Sequence, residues 1–497
     1  MAIPKSKTFS ETSSSTKTKL MVAAIDFGTT YSGWAFSFDH DYKSDPTKIS
    51  CKQWNSGKHF SMKAPTTVLI QPDGCTLEAF GYEAEDRYAE LADEGEHKTY
   101  YYFQRFKMML FDNKRDDLME ESGKKLTGLI EEDEIQWVLT VPAIWTPPAK
   151  QFMRECAVEA GIRSANLLIA LEPEAASLYC KYLTIQKEKE GNTEGGTVSS
   201  FQPGTRYMVV DAGGGTVDII VHEVCSDGRL KEIYKANGGN WGGTTVDKAF
   251  FDFLAGIVGK NVMKRFQEEH KDDVLDLQRE FEVKKRSIKP DLKSKVKIKI
   301  PVSLTDIYKD VNKESVMEKI KKDCTLNGKV NFMADKILFD SSLLKDLFNY
   351  TNDHLVSHLE NILQEEATTG TDTILMVGGF SKSTMVFEAV RSSFRKQNVL
   401  LPEDAGLSVL KGAVIFGHDR KDISVRISQY TYGFKHYARY NPLKHPKETD
   451  TLVTADGQKM VRGCFSKLIK VGEKLSPNEI SRQKNVCPQE GSNHIWA

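Results

Sequence analysis

Two short acidic turns that contain glycine, each set between apolar segments, constrain this fold more than any other feature. The first lies in MVAAIDFGTTYSGWAFSF, residues 21–38, and the second in YMVVDAGGGTVDIIVHEV, residues 207–224. Both are typical of a strand–turn–strand hairpin, because a glycine-containing turn joins two apolar runs. Two similar hairpins about 185 residues apart predict two halves of like architecture.

The residues of the first turn are suited to a phosphate ligand. Gly28 lets backbone amides approach a ligand without a Cβ in the way, and successive amides form a concave anion site. Thr29 and Thr30 add hydroxyl donors. Because an aspartate repels phosphate, Asp26 predicts a cation between them, and hydrated Mg²⁺ fits, since carboxylates and substrate phosphates often hold it together.

The second turn, DAGGGTVD, has three glycines, a threonine and an acid at each end. Two such turns facing each other would clamp a polyphosphate. Neither is a Walker loop, because no Gly-Lys-Ser/Thr follows and both turns lead into strands. One such turn alone is equally typical of a structural hairpin. The matching Asp and Thr positions, with GGNWGGTTVD at 238–247 and VGGFSKS at 377–383, favour a nucleotide site.

Composition excludes some other classes. A chain of 497 residues is too long for one core, and its net charge of −1 argues against a protein-wide field for nucleic acid or an anionic membrane. No apolar run approaches the roughly 20 residues that span a bilayer. The eight cysteines form no Cys-x-x-Cys pair, which is typical of free thiols in a reducing compartment and predicts a cytoplasmic location.

Seven motifs together resemble the actin, sugar-kinase and 70 kDa heat-shock ATPase superfamily. In chain order they are IDFGTTYSGWAF, VPAIWTPPAKQFMRECAVEAGI, LEPEAASLY, VVDAGGGTVDIIV, GGNWGGTTVDKAF, FEVKKRSIK and ILMVGGFSKS. The closest resemblance is to the heat-shock 70 kDa family, and LKGAVIFGH at 410–418 and YTYGF at 430–434 favour its divergent type 12 branch. The resemblance implies an α/β, two-lobed actin-like ATPase fold: duplicated mixed sheets flanked by helices, with a short, partly β C-terminal extension.

The resemblance also divides the chain. It implies ATPase lobe I at 20–205, with an insertion at about 45–130, and lobe II at 206–420, with an insertion at about 245–335. A disordered tail at 1–19 precedes the lobes, and a short, incomplete C-terminal module at 421–497 follows them. By composition, 184–205 is predicted to be a flexible surface loop.

At the phosphate end, the resemblance implies a role for each motif residue. The first turn contacts the β- and γ-phosphates and the second closes over them, through Gly28, Thr29, Thr30, Tyr31, Gly213, Gly214, Gly215 and Thr216. Asp26 and Asp211 hold Mg²⁺ through water. Glu172 and Asp218 position water or metal near the γ-phosphate. The family's lysine against that phosphate is assigned to Lys107, with Arg105 behind it.

At the nucleoside end, the resemblance implies cleft, adenosine and base contacts by Gly242, Gly243, Glu282, Lys285, Arg286, Gly378 and Gly379. Three positions depart from the chaperones of the family: Phe380 and Lys289 replace serines, and Lys382 replaces an arginine. The leucine-rich acidic linker is absent around 420–426, and the segment after it is too short for the usual peptide-binding sandwich and helical lid.

The predicted function is an ATP- and ADP-binding protein of the heat-shock 70 kDa type. Nucleotide would gate lobe closure, with slow Mg²⁺-dependent hydrolysis, and protein clients or co-chaperones would make it an atypical chaperone. One alternative is a pseudo-ATPase scaffold that binds nucleotide without turnover and recruits partners. A small-molecule kinase on the same fold is a weaker alternative, since no substrate-side base or sugar loop is identifiable. Filament formation, as in actin, is weaker still.

Overall fold

The computed structural model describes residues 19–55, 60–112, 134–182, 185–189, 192–198, 201–333, 336–446, 450–453 and 457–476. The predicted tail therefore lies outside the described residues except for residue 19. Part of the first predicted insertion, 113–130, and the chain end, 477–497, lie outside them as well.

The described elements include both strands and helices. The strands are β1 (Met21–Asp26), β2 (Tyr31–Phe38), β3 (Ser50–Cys51), β4 (Trp54–Asn55), β5 (Phe60–Ser61), β6 (Ala64–Pro65), β7 (Thr67–Ile70), β8 (Leu77–Phe80), β9 (Tyr101–Gln104), β10 (Ile135–Val141), β11 (Leu167–Leu171), β12 (Ile185–Lys189), β13 (Asn192–Val198), β14 (Arg206–Ala212), β15 (Val217–Val224), β16 (Leu230–Gly239), β17 (Val296–Lys299), β18 (Val330–Met333), β19 (Lys336–Phe339), β20 (Thr371–Val377), β21 (Asn398–Leu400), β22 (Ile423–Ile427), β23 (Tyr432–Arg439), β24 (Thr451–Val453), β25 (Lys459–Ile469) and β26 (Lys474–Leu475). The helices are α1 (Asp39–Ser44), α2 (Tyr82–Asp93), α3 (Lys107–Asp112), α4 (Pro147–Glu159), α5 (Glu172–Lys181), α6 (Gly243–Val258), α7 (Lys260–Glu269), α8 (Lys271–Ser287), α9 (Val302–Asn312), α10 (Val316–Lys322), α11 (Ser341–Asp346), α12 (Asn349–Leu363), α13 (Thr384–Ser393) and α14 (Ser408–His418).

Two mixed sheets organise the molecule, and both repeat one pattern. The first sheet has the order β11-β10-β1-β2-β3, and the second β21-β20-β14-β15-β16-β22-β26. In each sheet an antiparallel hairpin, β1–β2 or β14–β15, is extended by two parallel strands beside its first strand. The predicted duplication therefore includes four strands of each sheet, and the predicted two-lobed α/β fold is confirmed.

Two helices pack between these sheets. α5 contacts β10, β11, β14 and β15, and α14 packs against α5, β1 and β10. Their shared face is almost entirely buried, with small residues such as Ala175, Ala176 and Ala413 at the contact. Because α14 belongs to the second half of the sequence and covers the first sheet, the two halves share one core here.

The segment 184–205 was predicted to be a flexible loop from its polar composition, and this prediction is wrong for most of its described residues. β12 and β13 pair as an antiparallel hairpin within it. The segment carries little apolar periodicity, whereas backbone hydrogen bonds between strands need no particular side chain.

The C-terminal extension is built from strands, as predicted. β22 joins the second sheet beside β16, and β23, β25 and β24 form a separate three-stranded sheet. Arg426 of β22 donates two hydrogen bonds, of 2.8 and 2.9 Å, to the Glu174 carboxylate on α5. β22 thus ties the second sheet to a helix of the first half. Within the described residues, no helix combines the length and apolar character needed to cross a bilayer.

Candidate functional site

The turns of the two hairpins lie against each other. A Cβ on Gly214 would be 2.2 Å from Thr30 Oγ1, and a Cβ on Gly215 would be 2.6 Å from Thr29 Oγ1. Real Cβ atoms essentially never approach other atoms within 3.0 Å, so a larger residue at either position would displace the threonine side chain of the first turn. The triple glycine therefore allows two backbone turns to converge.

A cavity of about 500 Å³ opens between these turns. Most of the predicted site residues line it: Asp26, Gly28, Thr29, Thr30, Tyr31, Lys107, Glu172, Asp211, Gly213, Gly214, Gly215, Thr216, Gly243, Glu282, Lys285, Arg286, Gly378 and Gly379. Asp218 and Gly242 do not line it. Asp218 lies behind the wall and accepts a hydrogen bond from the Ile144 amide at 3.0 Å, and the Gly242 amide donates to the Gly215 carbonyl at 3.2 Å.

Asp26 is bound by a residue that the sequence interpretation missed. Lys63 Nζ lies 2.5 Å from Asp26 Oδ2, and the Thr140 hydroxyl donates to Oδ1 at 3.0 Å. Burial opposes ionisation of this carboxyl, but the charges of Lys63 and Lys107 and these hydrogen bonds outweigh it and lower its pKa. Asp26 is therefore ionised and already neutralised by an ammonium group.

Asp211 has the opposite environment. It is buried, and no hydrogen bond or ion pair to its carboxylate forms among the described residues. Burial raises its pKa well above the usual value, and the charges of Glu172, Asp218 and Asp26 raise it further. A buried carboxylate among other acids favours a cation. Magnesium fits this position, because it prefers carboxylate oxygens and is commonly completed by water and phosphate.

Lys107 and Glu172 form a buried ion pair at the same end of the cavity. Lys107 Nζ lies 2.6 Å from Glu172 Oε1, and the Lys107 side chain is 1% exposed. The ammonium also lies 5.4 Å from the centre of the Trp145 ring. Burial raises the pKa of Glu172 to about 7, although Lys107 opposes the shift. Burial therefore favours the protonated form of Glu172 more than it is favoured in an exposed glutamate.

Arg105, predicted to stand behind Lys107, lines the same cavity and is paired with an acid of the second half of the chain. Its guanidinium lies 2.8 Å from Asp247 on α6, and its backbone has a φ of 54°, a conformation that non-glycine residues rarely adopt. Lys285 of α8 approaches the same carboxylate at 2.6 Å. Arg105 therefore connects the first insertion to the second half of the chain.

The nucleoside end combines charged and aromatic side chains. Lys285 and Arg286 lie 2.7 and 2.8 Å from Glu282, and the Arg286 guanidinium lies 5.8 Å from the centre of the Tyr31 ring. Gly378 has a φ of 85°, and a Cβ there would be 2.3 Å from Asp211 Oδ1. This glycine therefore lets the strand end approach the carboxylate.

Two of the three departures from the family pattern line the cavity. The Phe380 ring packs 6.4 Å from the Phe348 ring and lies against Gly243, and Lys382 stands two residues further on. Lys289 is exposed and lies outside the lining. At the predicted nucleoside end, an aromatic ring therefore lines the cavity where the family pattern has a serine.

Several lining residues were not predicted: Ser61, Met62, Lys63, Tyr82, Ser383, Gly406, Leu407 and Val409. Lys63 is the most significant of them. It stands in no glycine-rich motif, and the order FSMKAPTT gives no sign that β6 pairs with β2 beside the first turn. Only this pairing brings the lysine to Asp26.

Comparison with known proteins identifies the family of this chain. The chain is 34% identical to heat shock 70 kDa protein 12A of Mus musculus over 94% of this chain and 79% of that protein. It is 33% identical to heat shock 70 kDa protein 12B of Homo sapiens over 94% of this chain and 78% of that protein. The chain belongs to the heat shock 70 kDa protein 12 family.

This member of the heat shock 70 kDa protein 12 family has two further similarities to known proteins. Residues 202–404 match a family model described as a domain of unknown function, DUF8340. Among solved structures, that of MreB5 of Spiroplasma citri bound to AMPPNP is similar over 80% of this chain and 95% of its own, at 12% identity and a TM-score of 0.47.

Proposed function

We propose that this member of the heat shock 70 kDa protein 12 family binds ATP and ADP in the cavity between its two hairpin turns. The observation that carries the proposal is the contact between these turns, which places both glycine-containing turns and their three threonines around one cavity. Amides in successive glycine-rich turns suit phosphate oxygens. The cavity volume of about 500 Å³ is within the range of small-molecule sites.

Some residues of this chain bind the nucleotide and its metal ion, and others take part in proton transfer. The turn amides, with Thr29, Thr30 and Thr216, donate hydrogen bonds to the phosphates. Asp211 holds Mg²⁺ through water, and the ion supplies charge neutralisation of the phosphates when bound. Glu172, whose pKa is about 7, accepts a proton from the attacking water, while Lys107 keeps its carboxylate oriented.

Slow hydrolysis is the proposed reaction, with lobe closure on nucleotide. α5 and α14 form the contact between the sheets about which the two halves would move. A cytoplasmic location is consistent with the cysteines of the described residues, none of which forms a disulfide. An atypical chaperone role with protein clients is a further proposal, based on family membership alone.

The test is calorimetric titration of ATP and ADP, with and without Mg²⁺, followed by single-turnover hydrolysis. We expect Asp211→Asn to weaken binding of the Mg²⁺–nucleotide and Lys107→Ala to lower the hydrolysis rate about 100-fold, the scale of one lost charge-stabilising group. Asp252→Asn, an exposed acid on α6, is the matched control. Variants that all match the wild type would contradict the proposal.

A scaffold that binds nucleotide without turnover is the second candidate. The observation in its favour is the Lys63–Asp26 pair, because it neutralises one of the two carboxylates assigned to the metal. Tight ATP binding by the wild type, with no phosphate released in single-turnover conditions, would select this candidate over slow hydrolysis.

A further inference from the structure

We propose that Lys63 is a phosphate-binding residue that supplies, from the protein itself, the positive charge needed between Asp26 and the nucleotide phosphates. Nucleotide binding would then depend only weakly on Mg²⁺, and Asp211 alone would hold the ion. The inference rests on the proposed nucleotide site and names a residue and a metal dependence that the sequence motifs do not predict.

The backbone holds Lys63 beside the first turn. It immediately precedes β6, which pairs with β2 with Ala64 opposite Ser32 and Pro65 opposite Tyr31. The Thr66 hydroxyl donates to the Gly28 carbonyl at 2.6 Å. The segment that carries Lys63 is thus attached to the turn that would bind phosphate.

The side chain has a defined path to the cavity. A Cβ on Gly33 would lie 3.0 Å from Lys63 Cγ, so the glycine at position 33 makes room for the lysine stem. The Lys63 side chain is 20% exposed and borders the cavity, whereas the Lys107 side chain is 1% exposed and held by Glu172. Lys63 is therefore the more accessible of these two ammonium groups to a ligand.

The bonding capacity of the pair leaves room for phosphate. A lysine ammonium has three donors, of which Asp26 takes one. Lys63 lines the same cavity as the first turn, and no second hydrogen-bond acceptor for its ammonium is found among the described residues. Both Asp26 oxygens already have partners, in Lys63 and Thr140, whereas the Asp211 carboxylate has none among the described residues. The two predicted metal ligands are therefore not equivalent.

The experiment is calorimetric titration of ADP in EDTA and in Mg²⁺. We expect the wild type to bind ADP in EDTA within about 10-fold of its affinity in Mg²⁺. Lys63→Met should lose about 10- to 100-fold in EDTA, the scale of a charge-assisted hydrogen bond. It should lose less in Mg²⁺, because the ion can then reach Asp26. Lys63→Arg should keep most of the affinity, and Lys52→Met, an exposed lysine, is the matched control.

A second pair of variants controls for misfolding. This control is needed because Lys63→Met alone leaves the Asp26 carboxylate buried without its partner, which destabilises the folded state. Asp26→Asn and the double variant Asp26→Asn/Lys63→Met lack that acid, and the double variant should bind ADP about 10-fold or more weakly than Asp26→Asn in EDTA. Equal affinities of these two variants in EDTA would overturn the role of Lys63, as would wild-type binding that is lost without Mg²⁺. If the wild type binds no nucleotide in any condition, the proposed function fails and this inference with it.

Discussion

Replacing Gly412 by alanine tests the packing on which the two halves depend. Gly412 lies in α14, where its Cα faces the backbone of α5. A Cβ at this position would be 1.6 Å from the Ala175 carbonyl oxygen and 2.3 Å from its carbon. Both atoms belong to a helix backbone, so no flexible side chain can move aside.

The cost follows from this geometry. To bring the Cβ from 1.6 Å to the 3.0 Å that real contacts respect, the helices must separate by about 1.4 Å. Overpacking of a core, backbone shifts included, typically costs about 1 to 3 kcal/mol. Alanine recovers about 1 kcal/mol of helix propensity. We therefore expect Gly412→Ala to lower the free energy of unfolding by up to about 2 kcal/mol.

Urea denaturation followed by circular dichroism measures this free energy. Gly256→Ala is the matched control, because Gly256 is an exposed position in α6 with nothing within 4 Å of an added Cβ. It should stabilise the protein by up to about 1 kcal/mol. A Gly412→Ala protein as stable as Gly256→Ala would refute the close helix contact and the shared core.

Three further predictions concern the site and the C-terminal strand. Gly378→Ala should reduce the difference between ADP affinity in Mg²⁺ and in EDTA, measured by calorimetry, because its Cβ would displace the Asp211 carboxylate that would hold the ion; an unchanged difference would contradict this. Burial raises the pKa of Glu232 to about 8, so this group makes the folded state less stable as pH rises from about 4.5 to 8. Glu232→Gln should therefore flatten the decline of unfolding free energy over that range, and an unchanged slope would count against it. Arg426→Met leaves the Glu174 carboxylate buried without its partner and should cost about 2 to 3 kcal/mol by urea denaturation, with Arg426→Lys losing less.

Much of the fold was predictable because local patterns carry it. Each hairpin is encoded by an apolar run, a glycine-containing turn and a second apolar run. Because only a short turn separates the two strands, their pairing can be predicted from the local sequence. The same logic did not extend to the segment 184–205, whose strands pair through backbone atoms despite a polar composition. Nor did it predict that β12 and β13 would be strands at all.

The candidate site divides in the same way. The glycines and acids of the two turns are adjacent in sequence, so their contribution to one site was inferable. Lys63 and Arg105 were not, because their partners Asp26 and Asp247 lie 37 and 142 residues away and no motif joins them. The pairing of Arg105 with Asp247 could not be predicted from its neighbour Lys107 for that reason.

The sequence by itself determined the two acidic turns and the family, and it predicted residues for a polyphosphate site, since all of these are encoded in short, ordered motifs. Tertiary structure alone decided which charges meet. It paired Lys63 with Asp26 and Lys107 with Glu172. Among the described residues, it placed no hydrogen-bonding or ion-pairing group against the Asp211 carboxylate. Such pairings depend on strand register and helix packing between distant segments, and their energies change with burial, which no local pattern specifies.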